Sequence, residues 1–123
     1  GEYHPRPSVA TISNAMDVGA PSNFVRMLAL LGNSWEQMKS NISGMSFSDD
    51  ETRIAIREVE SKFHYQIDPH GAVGWLAARA YRAKHPGAVT ITLETAHPAK
   101  FPDVMDAELG KDSVEIPQRL AIL

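Results

Sequence analysis

The amino-acid sequence predicts a helix-rich α/β protein. Two short segments are rich in β-branched residues: residues 9–12 indicate a strand or an extended segment, and residues 88–93 indicate a strand. Between and after these segments, apolar residues recur at the three- and four-residue spacing of amphipathic helices. Strands and helices that follow one another along a chain are typical of the α/β class, and helices take the larger share of this chain.

Length and composition predict one folded unit over residues 1–123. The chain has 123 residues, of which 43% are apolar, and this is the size of a single domain. Its net charge of −3 leaves no basic excess for binding the phosphates of nucleic acid. No apolar run approaches the about 18 residues that a membrane span requires. The chain has no Cys, which excludes disulfides and Cys nucleophiles and fits a cytoplasmic location.

Turn residues on both sides mark the first two helices. Ser22 and Asn23 are good N-cap residues for a helix that begins with Phe24. Gly32 predicts the end of that helix. A second helix is predicted over residues 34–42, where apolar residues again share one side.

The two central helices have the strongest local signals. Ser48 and Glu51 have the spacing of a capping box, and the acidic first turn suits the helix dipole. Asp68 and Pro69 predict the N-cap and first residue of the next helix, which extends to Lys84. The predicted apolar stripes are Ala55, Ile56, Val59 and Phe63 on the first of these helices, and Val73, Leu76, Ala77, Ala80 and Tyr81 on the second.

The last third of the chain contains the second predicted strand and a further helix. Pro98 begins a helix that is predicted to reach Leu109 and to end at Gly110. Residues 114–123 are predicted to form an extended piece that leads into a helix. The last four residues are all apolar, which is unusual for a free terminus, and we therefore expect the chain to be a fragment of a longer protein.

The polar turns that follow the two predicted strands are where we expect a functional site. In open α/β sheets, ligands bind outside the carboxyl ends of the strands, where the chain turns into a helix. The turns at residues 13–19 and 94–101 both have this position, and both have an unusual polar content.

The same turns contain motifs of a known family. SNAMDVG at 13–19, followed by PSNF at 21–24, resembles a signature block of the threonine synthases. TAHPAKF at 95–101 resembles a second block, and DPHGAVG at 68–74 resembles a third. All three are ungapped and in the family's order. The resemblance implies the C-terminal portion of the large domain of a pyridoxal-phosphate enzyme of fold type II, similar to the tryptophan synthase β subunit.

The resemblance also implies a reaction and a missing part. Threonine synthases are lyases of threonine biosynthesis that convert O-phospho-L-homoserine and water into L-threonine and phosphate with pyridoxal 5'-phosphate. The family's Schiff-base lysine and phosphate-binding loop belong to an N-terminal part that this chain lacks. We therefore expect the chain alone to be inactive and not to retain the cofactor. We also expect it to self-associate through apolar surface that the missing part covers.

Thr95 is the predicted cofactor contact. The resemblance places a Ser or Thr hydroxyl here, at the pyridine nitrogen of the cofactor. A neutral hydroxyl can donate a hydrogen bond to an unprotonated nitrogen, which moderates the ring as an electron sink. The alternative is that Thr95 only caps the helix that begins near Pro98.

Three further residues are site candidates. Asn14 is a second cofactor-side candidate, unless its side chain only fixes its own turn. His97 and Lys100 are candidates on the substrate side, and their alternatives are a structural histidine and a solvated lysine. No catalytic residue is assigned within this chain. The five histidines lack the spacing of a metal site, so no metal is expected.

Two other functions fit the same residues. A threonine-synthase-like phospho-lyase that acts on a related phosphorylated hydroxy-amino acid would retain the same motifs, because they mostly shape the cofactor pocket. A non-catalytic α/β module that binds a partner protein would instead use the apolar end of the chain as an interface.

Overall fold

The computed structural model describes residues 4–5, 7–14 and 18–120. Within these ranges the chain forms α-helices, one short 3₁₀ helix and irregular connections, without a β-strand. The helices are α1 (Phe24–Leu30), α2 (Trp35–Asn41), α3 (Asp49–Phe63), α4 (Pro69–Lys84), the 3₁₀ helix (Pro98–Lys100) and α5 (Pro102–Leu109).

The chain divides into two compact units. The first comprises Gly1–Ala10 and Asn14–Met45, and the second comprises Thr11–Ser13 and Ser46–Leu123. A division into compact units does not by itself define independently folding domains. The single unit expected over residues 1–123 therefore stays a prediction.

The first unit contains α1 and α2, close to their predicted bounds. Ser34 is the N-cap of α2, and its hydroxyl accepts a hydrogen bond from the Gln37 N–H at 3.3 Å. Asn23 occupies the N-cap position of α1 without a side-chain hydrogen bond. Neither helix contains a buried residue. The apolar residues of both helices are therefore left with substantial exposure to solvent.

The predicted capping box of α3 is confirmed. The Glu51 N–H donates to Ser48 Oγ at 3.3 Å, and the Ser48 N–H donates to Glu51 Oε2 at 2.8 Å. The Ser48 N–H and the Ser48 hydroxyl both donate to the Glu51 carboxylate, and these two hydrogen bonds lower the pKa of Glu51. Because they favour the ionised carboxylate, the stabilisation is present at neutral pH and is lost as the pH falls through the lowered pKa.

The predicted start and end of α4 are also confirmed. Asp68 is the N-cap and Pro69 is the first residue, where the missing N–H of proline costs no helical hydrogen bond. The Asp68 carboxylate accepts hydrogen bonds from the N–H groups of His70 at 2.9 Å and Gly71 at 3.4 Å. The helix ends at Lys84, before His85 and Pro86.

The core of the second unit lies where α3, α4 and α5 meet. Its fully or nearly fully buried apolar residues are Ala55, Ile56, Val59, Ile67, Ala72, Leu76 and Met105. Glu108 of α5 pairs with Arg53 and Arg57 of α3, so ion pairs reinforce the contact between these helices. Phe63, predicted on the buried stripe, is 56% exposed. It is the last residue of α3, and its ring packs edge-on against Trp75 with the centroids 5.5 Å apart.

The two predicted strands are not formed. Residues 9–12 and 88–93 have no regular secondary structure. A strand exists only when a neighbouring strand satisfies its N–H and C=O groups, and the described part of the chain contains no such neighbour. Val89, Ile91 and Leu93, the predicted apolar face of the second segment, are 93%, 85% and 78% exposed.

The predicted helix over residues 98–109 is two helices. The 3₁₀ helix ends at Lys100, and α5 begins at Pro102. Phe101, between them, has φ −127° and ψ 51°, because a residue before proline is sterically disfavoured from the helical region. Gly110 ends α5 as predicted, with φ 101°. Residues 114–120 form turns and irregular structure, so no helix has begun by Leu120 after the predicted extended piece. Residues 121–123 lie outside the described residues.

None of the helices in the described ranges has the length and apolar character needed to cross a membrane.

Candidate functional site

The second polar turn, residues 94–97, lies between the extended segment 88–93 and the 3₁₀ helix. Both of its ends contact other parts of the second unit. At one end the Glu94 carboxyl lies against α4, and at the other end His97 is the N-cap of the 3₁₀ helix. The backbone of Thr95 and Ala96 is therefore held between two fixed points.

Thr95 is exposed, and its hydroxyl forms no hydrogen bond with any residue that the structure describes. The cap of the helix at Pro98 is His97, so Thr95 does not have the capping role that was its alternative. Its O–H is free to donate to an external acceptor. Such a hydroxyl can donate a hydrogen bond to the ring nitrogen of an aromatic molecule that binds at this surface.

His97 has a structural contact within the turn. Its Nδ1 accepts a hydrogen bond from the Ala99 N–H at 3.1 Å. In this contact Nδ1 is the acceptor. The imidazole therefore fixes the direction of the turn.

Lys100 and Asn14 lie in different parts of the structure. Lys100 is the exposed last residue of the 3₁₀ helix. Asn14 is half-buried and belongs to the first compact unit, whereas Thr95 belongs to the second. Both assignments stay predictions. Asp17 of the first motif lies outside the described residues.

Glu94 is a functional candidate that the sequence did not single out. The Tyr65 hydroxyl donates to Glu94 Oε2 at 3.4 Å. Glu94 as a whole is exposed, but the partial burial of its carboxyl raises its pKa, and the nearby negative charge of Asp68 raises it further. The protonated carboxyl is therefore favoured more than in a solvated glutamate. The signal available in the sequence was only its position beside Thr95.

His70 has a structural role at the start of α4. Its Nδ1 lies 2.9 Å from Asp68 Oδ1, and its ring centroid lies 5.1 Å from that of Phe101. Both contacts are inside the second unit. His70 therefore supports the fold at this end of α4.

A cavity of about 440 Å³ lies beside the turn. Glu94, Ala96 and His97 line it, but Thr95 does not. This cavity is therefore not the predicted cofactor pocket.

Comparison with known proteins shows which family this chain resembles. Residues 71–123 match the family model described as "Threonine synthase, C-terminal". The threonine synthase of Escherichia coli (strain K12) is 36% identical over 121 residues, which are 98% of this chain. That of Saccharomyces cerevisiae is 34% identical and matches 82% of this chain. Over nearly its whole length, the chain is similar to the C-terminal part of threonine synthases. It spans 27% of the length of both relatives.

Solved threonine synthases share the fold as well as the sequence. The structure of threonine synthase from yeast matches 93% of this chain and 31% of its own, with a TM-score of 0.68 and 29% identity. The pyridoxal-phosphate-bound threonine synthase from Brucella melitensis matches 96% of this chain and 30% of its own, with a TM-score of 0.65 and 30% identity. The predicted fold class, a helix-rich C-terminal portion of a fold type II enzyme, is confirmed by these matches.

Proposed function

We propose that this chain is the C-terminal part of an enzyme that converts O-phospho-L-homoserine and water into L-threonine and phosphate with pyridoxal 5'-phosphate. The observation that supports this most is Thr95, an exposed hydroxyl without a partner among the described residues, inside the TAHPAKF motif. The relatives that match this chain are threonine synthases, and the solved Brucella melitensis enzyme is bound to pyridoxal phosphate.

The residues of the turn would have separate tasks. Thr95 would donate a hydrogen bond from its hydroxyl to the pyridine nitrogen. The proton would stay on the hydroxyl, because a hydroxyl is too weak an acid to transfer it. His97 would keep the turn in place through its bond to the Ala99 N–H. Bound pyridoxal phosphate supplies a conjugated ring that accepts the negative charge of the substrate carbon. In the overall reaction, the bond between Cγ and the phosphate oxygen breaks, Cγ gains one hydrogen and Cβ loses one. Water supplies a hydroxyl to Cβ and a proton to the released phosphate.

The test of this proposal is an assay of the full-length enzyme. We expect it to release L-threonine and phosphate from O-phospho-L-homoserine in equal amounts when pyridoxal phosphate is present. Release of phosphate from a related phosphorylated hydroxy-amino acid, with no threonine from phosphohomoserine, would contradict the proposed substrate and favour the related phospho-lyase. Absence of any turnover would favour a non-catalytic protein-binding module.

We further propose that the chain by itself self-associates and retains no cofactor. The apolar residues Val89, Ile91 and Leu93 are exposed along an extended segment, and such a segment is a template for pairing with another chain. In sedimentation velocity we expect dimers or larger species and, after addition of pyridoxal phosphate and desalting, no visible absorbance.

The matched control for self-association is Val89→Lys with Ile91→Lys, since lysines on an extended edge oppose pairing. This double variant is expected to sediment as a monomer with unchanged helical circular dichroism. A wild-type chain that is monomeric over the same concentrations would contradict the role of this segment. Retention of the cofactor by the chain would contradict the second half of the proposal.

A further inference from the structure

The Glu94 carboxyl lies so close to the first turn of α4 that only glycine fits there. A Cβ atom added to Gly71 would collide with the Glu94 carboxyl, at 2.6 Å from Cδ, and would also lie 2.7 Å from Ile67 Cγ1. Gly71 is buried in regular helix and does not have a positive φ. Its missing side chain is therefore required by the close approach of Glu94 and Ile67 and not by the backbone conformation.

The place that Glu94 occupies is itself rigid. Asp68 is completely buried and accepts hydrogen bonds from the N–H groups of His70 and Gly71. Its Oδ1 also lies 2.9 Å from His70 Nδ1. Tyr65 contacts the second oxygen of the Glu94 carboxyl, with its hydroxyl 3.4 Å from Glu94 Oε2. Glu94 therefore rests on an N-cap that is already fixed by hydrogen bonds.

We propose that Glu94 is a positioning residue for Thr95. Its carboxyl, seated on Gly71 and contacted by Tyr65, fixes the backbone at residue 94 and so directs the Thr95 hydroxyl. His97 fixes the opposite end of the turn through the Ala99 N–H. Only Thr95 and Ala96 lie between the two fixed ends, so rotation of the Thr95 backbone is restricted. This inference rests on the proposed function, because it assigns the orientation of the same hydroxyl.

The first test compares Glu94→Ala with Glu94→Gln in the full-length enzyme. Glutamine has the shape of a protonated carboxyl: its oxygen can accept from Tyr65, and its amide can donate to Asp68. We expect Glu94→Ala to lower kcat by about ten- to hundredfold with a smaller change in KM, because a displaced donor misses the acceptor. Glu94→Gln is expected to restore most of kcat. Glu94→Ala should also shift the visible absorbance and fluorescence of bound pyridoxal phosphate, and Glu94→Gln should not.

The second test measures the coupling between residues 71 and 94. Gly71→Ala alone is expected to lower the melting temperature, because the new methyl group would collide with the Glu94 carboxyl. In the Glu94→Ala background the same change is expected to have a smaller effect, since that carboxyl is gone. Gly74→Ala is the matched control: it lies one turn further along α4, and its added Cβ would meet Thr92 Cγ2 at 2.9 Å instead of Glu94. Its effect is expected to be the same in both backgrounds.

Two results would overturn the inference. One is an equal effect of Gly71→Ala in both backgrounds. The other is a Glu94→Ala enzyme that loses stability while kcat and the cofactor spectrum stay at wild-type values. The coupling measurement requires neither substrate nor cofactor. A wild-type enzyme that releases no threonine from phosphohomoserine would therefore refute the proposed function, and the coupling of Gly71 and Glu94 would still be decided separately.

Discussion

We expect Thr95→Ala to lower the kcat of the full-length enzyme by about ten- to hundredfold. Removing one partner of a buried hydrogen bond leaves the other unsatisfied, which costs about 1–3 kcal/mol, and each 1.4 kcal/mol corresponds to about tenfold in rate. The measurement is steady-state release of phosphate from O-phospho-L-homoserine, together with the absorbance of the bound cofactor. Thr95→Ser keeps the hydroxyl and is expected to stay within about threefold of wild type.

Lys100→Ala is the comparison that tests the assignment of roles. Lys100 is exposed at the end of the 3₁₀ helix, five residues after Thr95 in sequence. We expect its substitution to reduce kcat much less than Thr95→Ala does, and any effect to be on KM for the anionic substrate. A larger loss of kcat in Lys100→Ala than in Thr95→Ala would contradict the role given to Thr95.

Ile56→Ala is expected to destabilise the second unit by about 2–5 kcal/mol, because it leaves a cavity in a close-packed core. Ile56 is fully buried, with an exposed fraction of 0%. Ile54, two residues earlier on α3, is 54% exposed. Ile54→Ala is therefore the matched control and is expected to cost less than about 1 kcal/mol. The free energy of opening of α3, from hydrogen exchange in the full-length enzyme, measures both.

The three possible outcomes of this comparison have different meanings. A large loss in Ile56→Ala alone agrees with the core formed by α3, α4 and α5. Similar losses in both variants would show that the exposed face of α3 is covered in the full-length enzyme. An Ile56→Ala variant as stable as wild type would contradict the core itself.

Helix boundaries were predictable wherever they depend on neighbouring residues. Ser48 and Glu51, and Asp68 with Pro69, satisfy the free backbone groups of α3 and α4 within a few residues. The residues next to each boundary are therefore sufficient to predict where α3 and α4 begin. The break between the 3₁₀ helix and α5 at Phe101 also has a local cause, since Pro102 disfavours helical geometry in the residue before it. We predicted one continuous helix there because the longer pattern of residues 98–109 is that of a helix.

Features that depend on distant residues were not predictable in the same way. Residues 88–93 have the pattern of a strand, yet a strand needs a partner that this pattern does not supply. The motifs led to Thr95, whereas the contact between Glu94 and Gly71 joins residues far apart in sequence. No periodicity or local rule indicates that contact, because it is created by the packing of the turn against α4.

A crystal structure of the full-length enzyme with bound pyridoxal phosphate tests the central claim most directly. We expect Thr95 Oγ1 to lie about 2.7–3.2 Å from the pyridine nitrogen, with hydrogen-bond geometry. A pyridine nitrogen bound by another residue, with the Thr95 hydroxyl directed away from the ring, would contradict the account.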